Sequence, residues 1–67
     1  MKKVVFVQYD KRQDGLWIGK TLAAQSYTLI ACGNSLEEAK RRMQTAAHSV
    51  GKQDGIDIRA VEKRETA

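Results

Sequence analysis

The sequence predicts an α+β fold: one small domain in the order β-β-β-α-β, with an antiparallel sheet and a single helix packed on one face. Three observations support this prediction. The chain has 67 residues, enough for one domain only. Apolar residues alternate with other residues in four short segments, as in strands. A fifth segment has apolar residues three and four positions apart, as on one side of a helix.

Residues 3–9 and 16–22 are predicted to be the first two strands. Apolar side chains occupy both faces of the first strand, which is typical of a central strand. The polar segment between the two strands ends in Asp14-Gly15, a pair that favours a hairpin turn. Residues 26–32 alternate in the same way and are predicted to form the third strand.

A helix is predicted from Leu36 to about residue 50. Ser35 is placed as its N-cap, accepting a hydrogen bond from the backbone of Glu38. The Glu38 carboxylate is expected to return a bond to the Ser35 N–H, which completes a capping box. Gly51 is placed to end the helix in a left-handed conformation.

Residues 56–61 are predicted to form the last strand. Ile56, Ile58 and Ala60 alternate with Asp57 and Arg59, so one face of this strand is expected in water, at a sheet edge. The sequence thus predicts a single domain over residues 1–61. Residues 62–67 are expected to be a flexible C-terminal tail.

Composition limits the function. With 12 Lys and Arg against 8 Asp and Glu, the formal charge is +4, which is mildly basic. The single cysteine excludes an internal disulfide and a cysteine zinc site. No apolar run approaches the ~18 residues of a membrane span. We therefore expect a soluble protein of the cytoplasm, with no membrane partner and no cofactor.

No group of residues indicates catalysis. His48 lies off the apolar side of the helix, with no nucleophile or second base near it in sequence. Cys32 is expected to be a small buried side chain. The carboxylates are placed as turn formers or solvated charges rather than as ligands of two metal ions. We therefore expect no enzyme and no metal site. The carboxylates considered are Asp10, Asp14, Asp54 and Asp57.

The segment Gly33-Asn34-Ser35-Leu36-Glu37-Glu38-Ala39 resembles the Gly-Asp-Thr/Ser-Leu-Glu-Glu-Ala signature of HicB antitoxins. The resemblance extends over residues 4–50, with the turn ending in Gly15 and an aromatic residue at Trp17. Two features differ. The family commonly carries Gly-Cys a few residues before this signature, whereas here Cys32 adjoins Gly33 directly. The family also has a proline-rich stretch before the third strand, whereas residues 27–31 contain no proline. The ribbon-helix-helix or helix-turn-helix region of many members also has no counterpart.

The resemblance implies the toxin-neutralising half of such an antitoxin, a partial RNase H-like domain. Domains of this kind generally oligomerise and bind a small, basic, dsRNA-binding-like ribonuclease. The resemblance thus implies a non-enzymatic protein-interaction module that covers a toxin's active surface. The expected partners are further copies of the chain, in a dimer or larger homo-oligomer, and a small basic toxin.

With one helix, one face of the sheet remains uncovered. Trp17, Val4 and Phe6 are predicted to form an exposed apolar patch on that face, and such patches mark interfaces. Tryptophan is also common among residues that dominate binding energy. The alternative is that Trp17 belongs to the core.

The second hypothesis is a small basic nucleic-acid-binding regulator of phage or plasmid type. It depends on the pI of about 9.5 and on two basic clusters that could contact phosphates. Nucleic acid is thus a secondary candidate partner. The residues of the clusters are Lys11 and Arg12 at the hairpin tip, and Lys40, Arg41 and Arg42 on the helix.

Overall fold

The computed structural model describes residues 2–22 and 27–63, which form four strands and one helix. Their order along the chain is the predicted β-β-β-α-β, and the α+β class is confirmed. The elements are β1 (Lys2–Lys11), β2 (Trp17–Thr21), β3 (Ile30–Gly33), α1 (Leu36–Asp54) and β4 (Asp57–Glu62).

The sheet has the order β3-β2-β1-β4 and is mixed. β1 with β2, and β2 with β3, pair antiparallel as predicted. β4 pairs parallel with β1, so the prediction of a wholly antiparallel sheet is wrong at this strand. The cause is the path of the chain: α1 returns it to the end of the sheet where β1 begins. β4 therefore starts beside Lys2 and runs in the direction of β1.

The core lies between the sheet and α1. Val5 and Val7 are two residues apart on β1, so their side chains lie on the same face of the sheet. Both are buried, and this face is the one that α1 covers. Met43 comes from the side of α1 that faces them, and its side chain is fully buried. Burying one such side chain contributes roughly 1.5–3 kcal/mol. The other buried apolar residues are Leu29, Ala39, Ala47 and Ile58.

The start of α1 is capped largely as predicted. Ser35 Oγ accepts a hydrogen bond from the Glu38 N–H at 3.1 Å. The Glu38 carboxylate also bonds back, but to the N–H of Asn34 at 3.2 Å rather than to that of Ser35. The Glu38 N–H, which the helix leaves without an internal partner, and the N–H of Asn34 just before the cap are thus both satisfied by this pair of side chains.

The end of α1 differs from the prediction. The helix continues through Gly51 to Asp54, and Gly55 is the residue in the left-handed conformation, with φ 69°. Gly51 is buried within the helix, where a Cβ atom would collide with the Ile56 carbonyl oxygen and lie 3.1 Å from Ile58 Cγ1. Gly51 thus permits close packing, whereas Gly55 supplies the turn.

The bounds of all four strands also differ from the predicted ones, most of all at the start of β3 and at the end of β4. β3 begins at Ile30 rather than at residue 26, and residues 23–26 lie outside the described chain. Glu62, predicted to begin the tail, is the last residue of β4 and pairs with Val7. The N–H of Lys63 then donates to the Val7 carbonyl at 2.9 Å. The domain therefore extends beyond residue 61, and residues 64–67 lie outside the described chain.

Candidate protein-interaction surface

The side of the sheet that faces away from α1 is called the outer face here. It carries the alternate residues of β1 that do not join the core, together with their lateral neighbours in the sheet. The four most exposed large apolar side chains in the described chain belong to it. They are Val4 (50% exposed), Phe6 (46%), Ile30 (66%) and Val61 (40%).

Phe6 and Val61 form the centre of this apolar surface. They are lateral partners in the parallel β1–β4 pair, so their side chains project side by side. Val4 is the next outer-face residue of β1, with Arg59 of β4 beside it. The Phe6 carbonyl accepts a hydrogen bond from the Leu22 N–H at 3.0 Å, which brings the end of β2 alongside. The result is an apolar surface on β1 and β4, while Ile30 lies apart from it on β3, beside Lys20.

Trp17 does not belong to this patch, and its predicted placement beside Val4 and Phe6 is wrong. Trp17 pairs laterally with Lys11, two residues further along the strand face that carries Tyr9 and the buried Val7. It therefore projects from the helix side of the sheet, where it is half-buried. Residue alternation assigns faces within each strand. Only the pairing register relates the face of one strand to that of the next.

Charged residues surround the apolar centre. Lys2 and Asp57 are lateral partners at one end of the outer face, and Arg59 lies beside Val4. At the other end, Lys20 lies beside Gln8, and Asp10 lies beside Ile18. An apolar centre with a mixed polar rim is the usual arrangement of a protein–protein interface.

The free edge of β4 is covered by side chains from α1. Gln44 Nε2 donates to the Ile58 carbonyl at 3.1 Å, and Gln44 Oε1 accepts from the Ala60 N–H at 3.0 Å. One turn earlier, Lys40 forms an ion pair with Glu62 at 2.7 Å. The Gln44 amide thus takes the two bonds that one residue of an added strand would make.

The predicted basic clusters are largely engaged in ion pairs. Arg12 pairs with Asp14 at 3.5 Å, and Arg42 pairs with Glu38 at 3.3 Å. Together with the pair formed by Lys40, three of the five predicted phosphate-binding residues have carboxylate partners. Lys11 and Arg41 are exposed.

The carboxylates considered for metal binding have separate structural roles. Asp14 Oδ1 accepts from the Leu16 N–H at 3.1 Å, which stabilises the hairpin turn. Asp54 accepts from the Tyr27 hydroxyl at 2.9 Å. Asp10 and Asp57 lie at opposite ends of the outer face. Within residues 2–22 and 27–63, no three acidic, histidine or cysteine side chains are grouped as a metal site would require.

Cys32 and His48 are both exposed. The prediction that Cys32 is buried is therefore wrong. Cys32 is the lateral partner of Ile18, which places it on the outer face. His48 lines an open groove of about 410 Å³ at the end of α1, together with Lys52, Gly55, Ile56 and Asp57.

The two tyrosines are held in their neutral form. Burial, and to a smaller extent the charge of Glu62, raise the pKa of Tyr9 above 10.0. The hydrogen bond to Asp54 is the main reason that the pKa of Tyr27 is also raised, with burial and the Asp54 charge adding to it. Both shifts favour the protonated phenol and neither activates a nucleophile.

The sequence predictions do not include three residues of the candidate surface and its edge: Ile30 and Val61 on the outer face, and Gln44 on the β4 edge. The alternation of residues 56–61 assigns Val61 to the charged face of its strand, which could have identified it. A glutamine on a helix carries no comparable signal.

Comparison with known proteins gave no relative: the chain matches no protein-family model, no curated protein and no solved structure. Among the described residues, no helix is both long enough and apolar enough to cross a membrane.

Proposed function

We propose that this chain is a non-enzymatic protein-interaction module. It self-associates through the outer face and neutralises a small basic ribonuclease toxin by covering it, as a HicB-type antitoxin does. The observation that carries the proposal is the group of four exposed apolar side chains, all on the outer face. Val4, Phe6 and Val61 are neighbours on β1 and β4, and adjoining exposed apolar side chains on a small domain are characteristic of an interface.

The distribution of charge supports a protein partner. Ion pairs already engage Arg12, Lys40 and Arg42, so these residues are less available to phosphate groups than the sequence suggests. The outer face carries both signs of charge around its apolar centre, which suits a complementary protein surface. The nucleic-acid-binding regulator is therefore the less supported alternative.

The antitoxin assignment depends on the Gly33 to Ala39 motif, which opens α1 with its N-cap at Ser35. The order β-β-β-α-β agrees with the domain that the resemblance implies. Its mechanism is steric: the module covers the toxin's RNA-binding surface, and no residue of the module takes part in chemistry. A ribonuclease toxin acts on cellular RNA, so we place the module in the cytoplasm.

The proposal is tested by affinity purification of the full chain from its native source, with and without nuclease treatment. We expect a small basic protein to remain bound after nuclease treatment. That protein should cleave RNA when isolated and lose this activity when the chain is added back.

A matched pair of variants assigns the binding surface. Phe6→Lys places a charge on the outer face, and Ser49→Lys adds the same charge on the exposed side of α1. Phe6→Lys should reduce the amount of the small basic protein that is retained, whereas Ser49→Lys should not. Elution of nucleic acid alone, lost in high salt, would contradict the antitoxin proposal and favour the regulator.

A further inference from the structure

The free edge of β3 exposes backbone hydrogen-bonding groups. The Thr21 N–H donates to the Leu29 carbonyl at 3.1 Å, so residue 29 points toward β2. Because backbone groups alternate in direction along an antiparallel strand, those of Ile30 and Cys32 point out of the sheet. Arg42 Nη1 donates to the Cys32 carbonyl at 3.2 Å. In the described chain no hydrogen bond engages the outward groups of Ile30.

The two edges of the sheet differ in this respect. On β4, Gln44 occupies the Ile58 carbonyl and the Ala60 N–H. On β3, Arg42 occupies one carbonyl and leaves both groups of Ile30 accessible. The β4 edge is therefore covered at its middle by a side chain of α1, whereas the β3 edge is open at Ile30.

The β3 edge also lacks the features that usually prevent strand addition. Residues 28–32 contain no charge and no proline. Ile30, at the middle of this segment, is 66% exposed, the highest value among the large apolar side chains described. Arg42, the charged side chain that contacts this edge, is paired with Glu38, so a second copy of a chain of formal charge +4 can approach residues 28–32 with little repulsion between like charges.

We propose that the segment 28–32, which includes the start of β3, pairs antiparallel with the same segment of a second copy of this chain, about a two-fold axis at Ile30. Each Ile30 N–H would donate to the Ile30 carbonyl of the other copy, and each Cys32 N–H to the other copy's Thr28 carbonyl. The Arg42–Cys32 contact then takes the place of the bond that the Cys32 carbonyl would otherwise accept from the Thr28 N–H of the other copy. The two exposed Ile30 side chains would lie side by side on one continuous sheet.

This pairing closes at two copies. The sheet formed by residues 2–22 and 27–63 has one open edge, and the symmetric pairing uses this edge of both copies. The contact does not involve Phe6 or Val61, so it goes beyond the proposed outer-face association and can be tested separately.

Disulfide cross-linking tests the register. Directly opposed, hydrogen-bonded residues have Cα atoms about 5.5 Å apart, within the roughly 4.4–6.8 Å range of disulfides. The full chain with Ile30→Cys and Cys32→Ser should therefore form a covalent dimer in oxidised glutathione. The wild-type chain is the matched control because Cys32 is its only cysteine. In the proposed register the two Cys32 residues are four positions out of line, about 13 Å along the strands.

We expect cross-linking at position 30 to be at least about tenfold faster than at Cys32, because only the former lies within disulfide distance. Equal rates at the two positions, or no dimer at position 30, would overturn the pairing. The fast cross-link should persist when Phe6→Lys is added, and its loss there would assign it to the outer face instead.

A backbone test complements the cross-link. Ile30→Pro removes the outward donor at an edge position where proline is tolerated, and Ile30→Ala retains the donor. Circular dichroism establishes that both variants are folded. Among folded variants, only Ile30→Pro should abolish the edge-paired dimer in sedimentation equilibrium. Retention of this dimer by Ile30→Pro would overturn the proposal.

Discussion

Replacing Gly51 with alanine should destabilise the protein, although the same change inside a helix usually stabilises it. Alanine exceeds glycine in helix propensity by about 1 kcal/mol. At Gly51 the added methyl group would collide with the Ile56 carbonyl oxygen and crowd Ile58 Cγ1 at 3.1 Å. Overpacking of this kind costs about 1–3 kcal/mol, and a backbone oxygen cannot rotate away as a flexible side chain can. Because the colliding atom is a backbone oxygen, we expect a cost at the upper end of this range, about 2–3 kcal/mol, and after the gain in helix propensity a net loss of about 1–2 kcal/mol.

Urea unfolding, followed by circular dichroism, measures this loss. For so small a chain the urea m-value is about 1 kcal/mol/M, so the midpoint should fall by about 1–2 M. Ser49→Ala is the control: Ser49 is exposed on α1, and this change should slightly raise the midpoint. If Gly51→Ala raises the midpoint as Ser49→Ala does, the proposed contact between α1 and the chain entering β4 is wrong.

Three further predictions follow from the contacts of single side chains. Ser35→Ala should lower the free energy of unfolding by about 1 kcal/mol through loss of the N-cap, and urea unfolding would detect it. Gln44→Ala should cost about 1 kcal/mol and, by opening the β4 edge, should produce assemblies larger than those of the parent in sedimentation velocity. An unchanged size distribution would refute the edge-covering role. Because the pKa of Tyr9 is raised in the folded state, the contribution of Tyr9 to stability is fully present below pH 10.0 and is lost as the pH rises above it. Tyr9→Phe should reduce that decline, and thermal melts across this pH range measure it.

Local patterns predict the individual elements well. Apolar residues on both faces of residues 3–9 predict a central strand, and β1 lies between β2 and β4. The Ser35 and Glu38 pair predicts the start of α1, because capping depends on residues only three positions apart. Signals of this kind are contained within one turn or one strand.

Relations between elements are not encoded locally. Alternation in residues 56–61 is the same for a parallel and an antiparallel strand, so the direction of β4 depends on where α1 ends. Likewise, Gly51 and Gly55 are both suited to ending a helix. Gly51 lies inside α1, where it packs against Ile56 and Ile58, and this contact cannot be read from the helix sequence alone.

In the candidate interface, too, local patterns predict some residues and the pairing between strands decides the others. Val4 and Phe6 are on the outer face, as expected from the two-sided apolar pattern of the first strand. Trp17 is on the other face because the β1–β2 register, which no local pattern specifies, aligns it with Lys11. The patch is completed by Val61, which the parallel pairing of β4 brings beside Phe6.

The most direct test of the outer face as an interface is the native mass of the wild-type chain and two variants by sedimentation equilibrium. The wild-type chain and Ser49→Lys should both sediment at a multiple of the 7.5 kDa chain mass. Phe6→Lys, which adds the same charge at the centre of the outer face, should remain folded and shift to a smaller assembly. A folded Phe6→Lys variant with the wild-type mass would contradict self-association through this face.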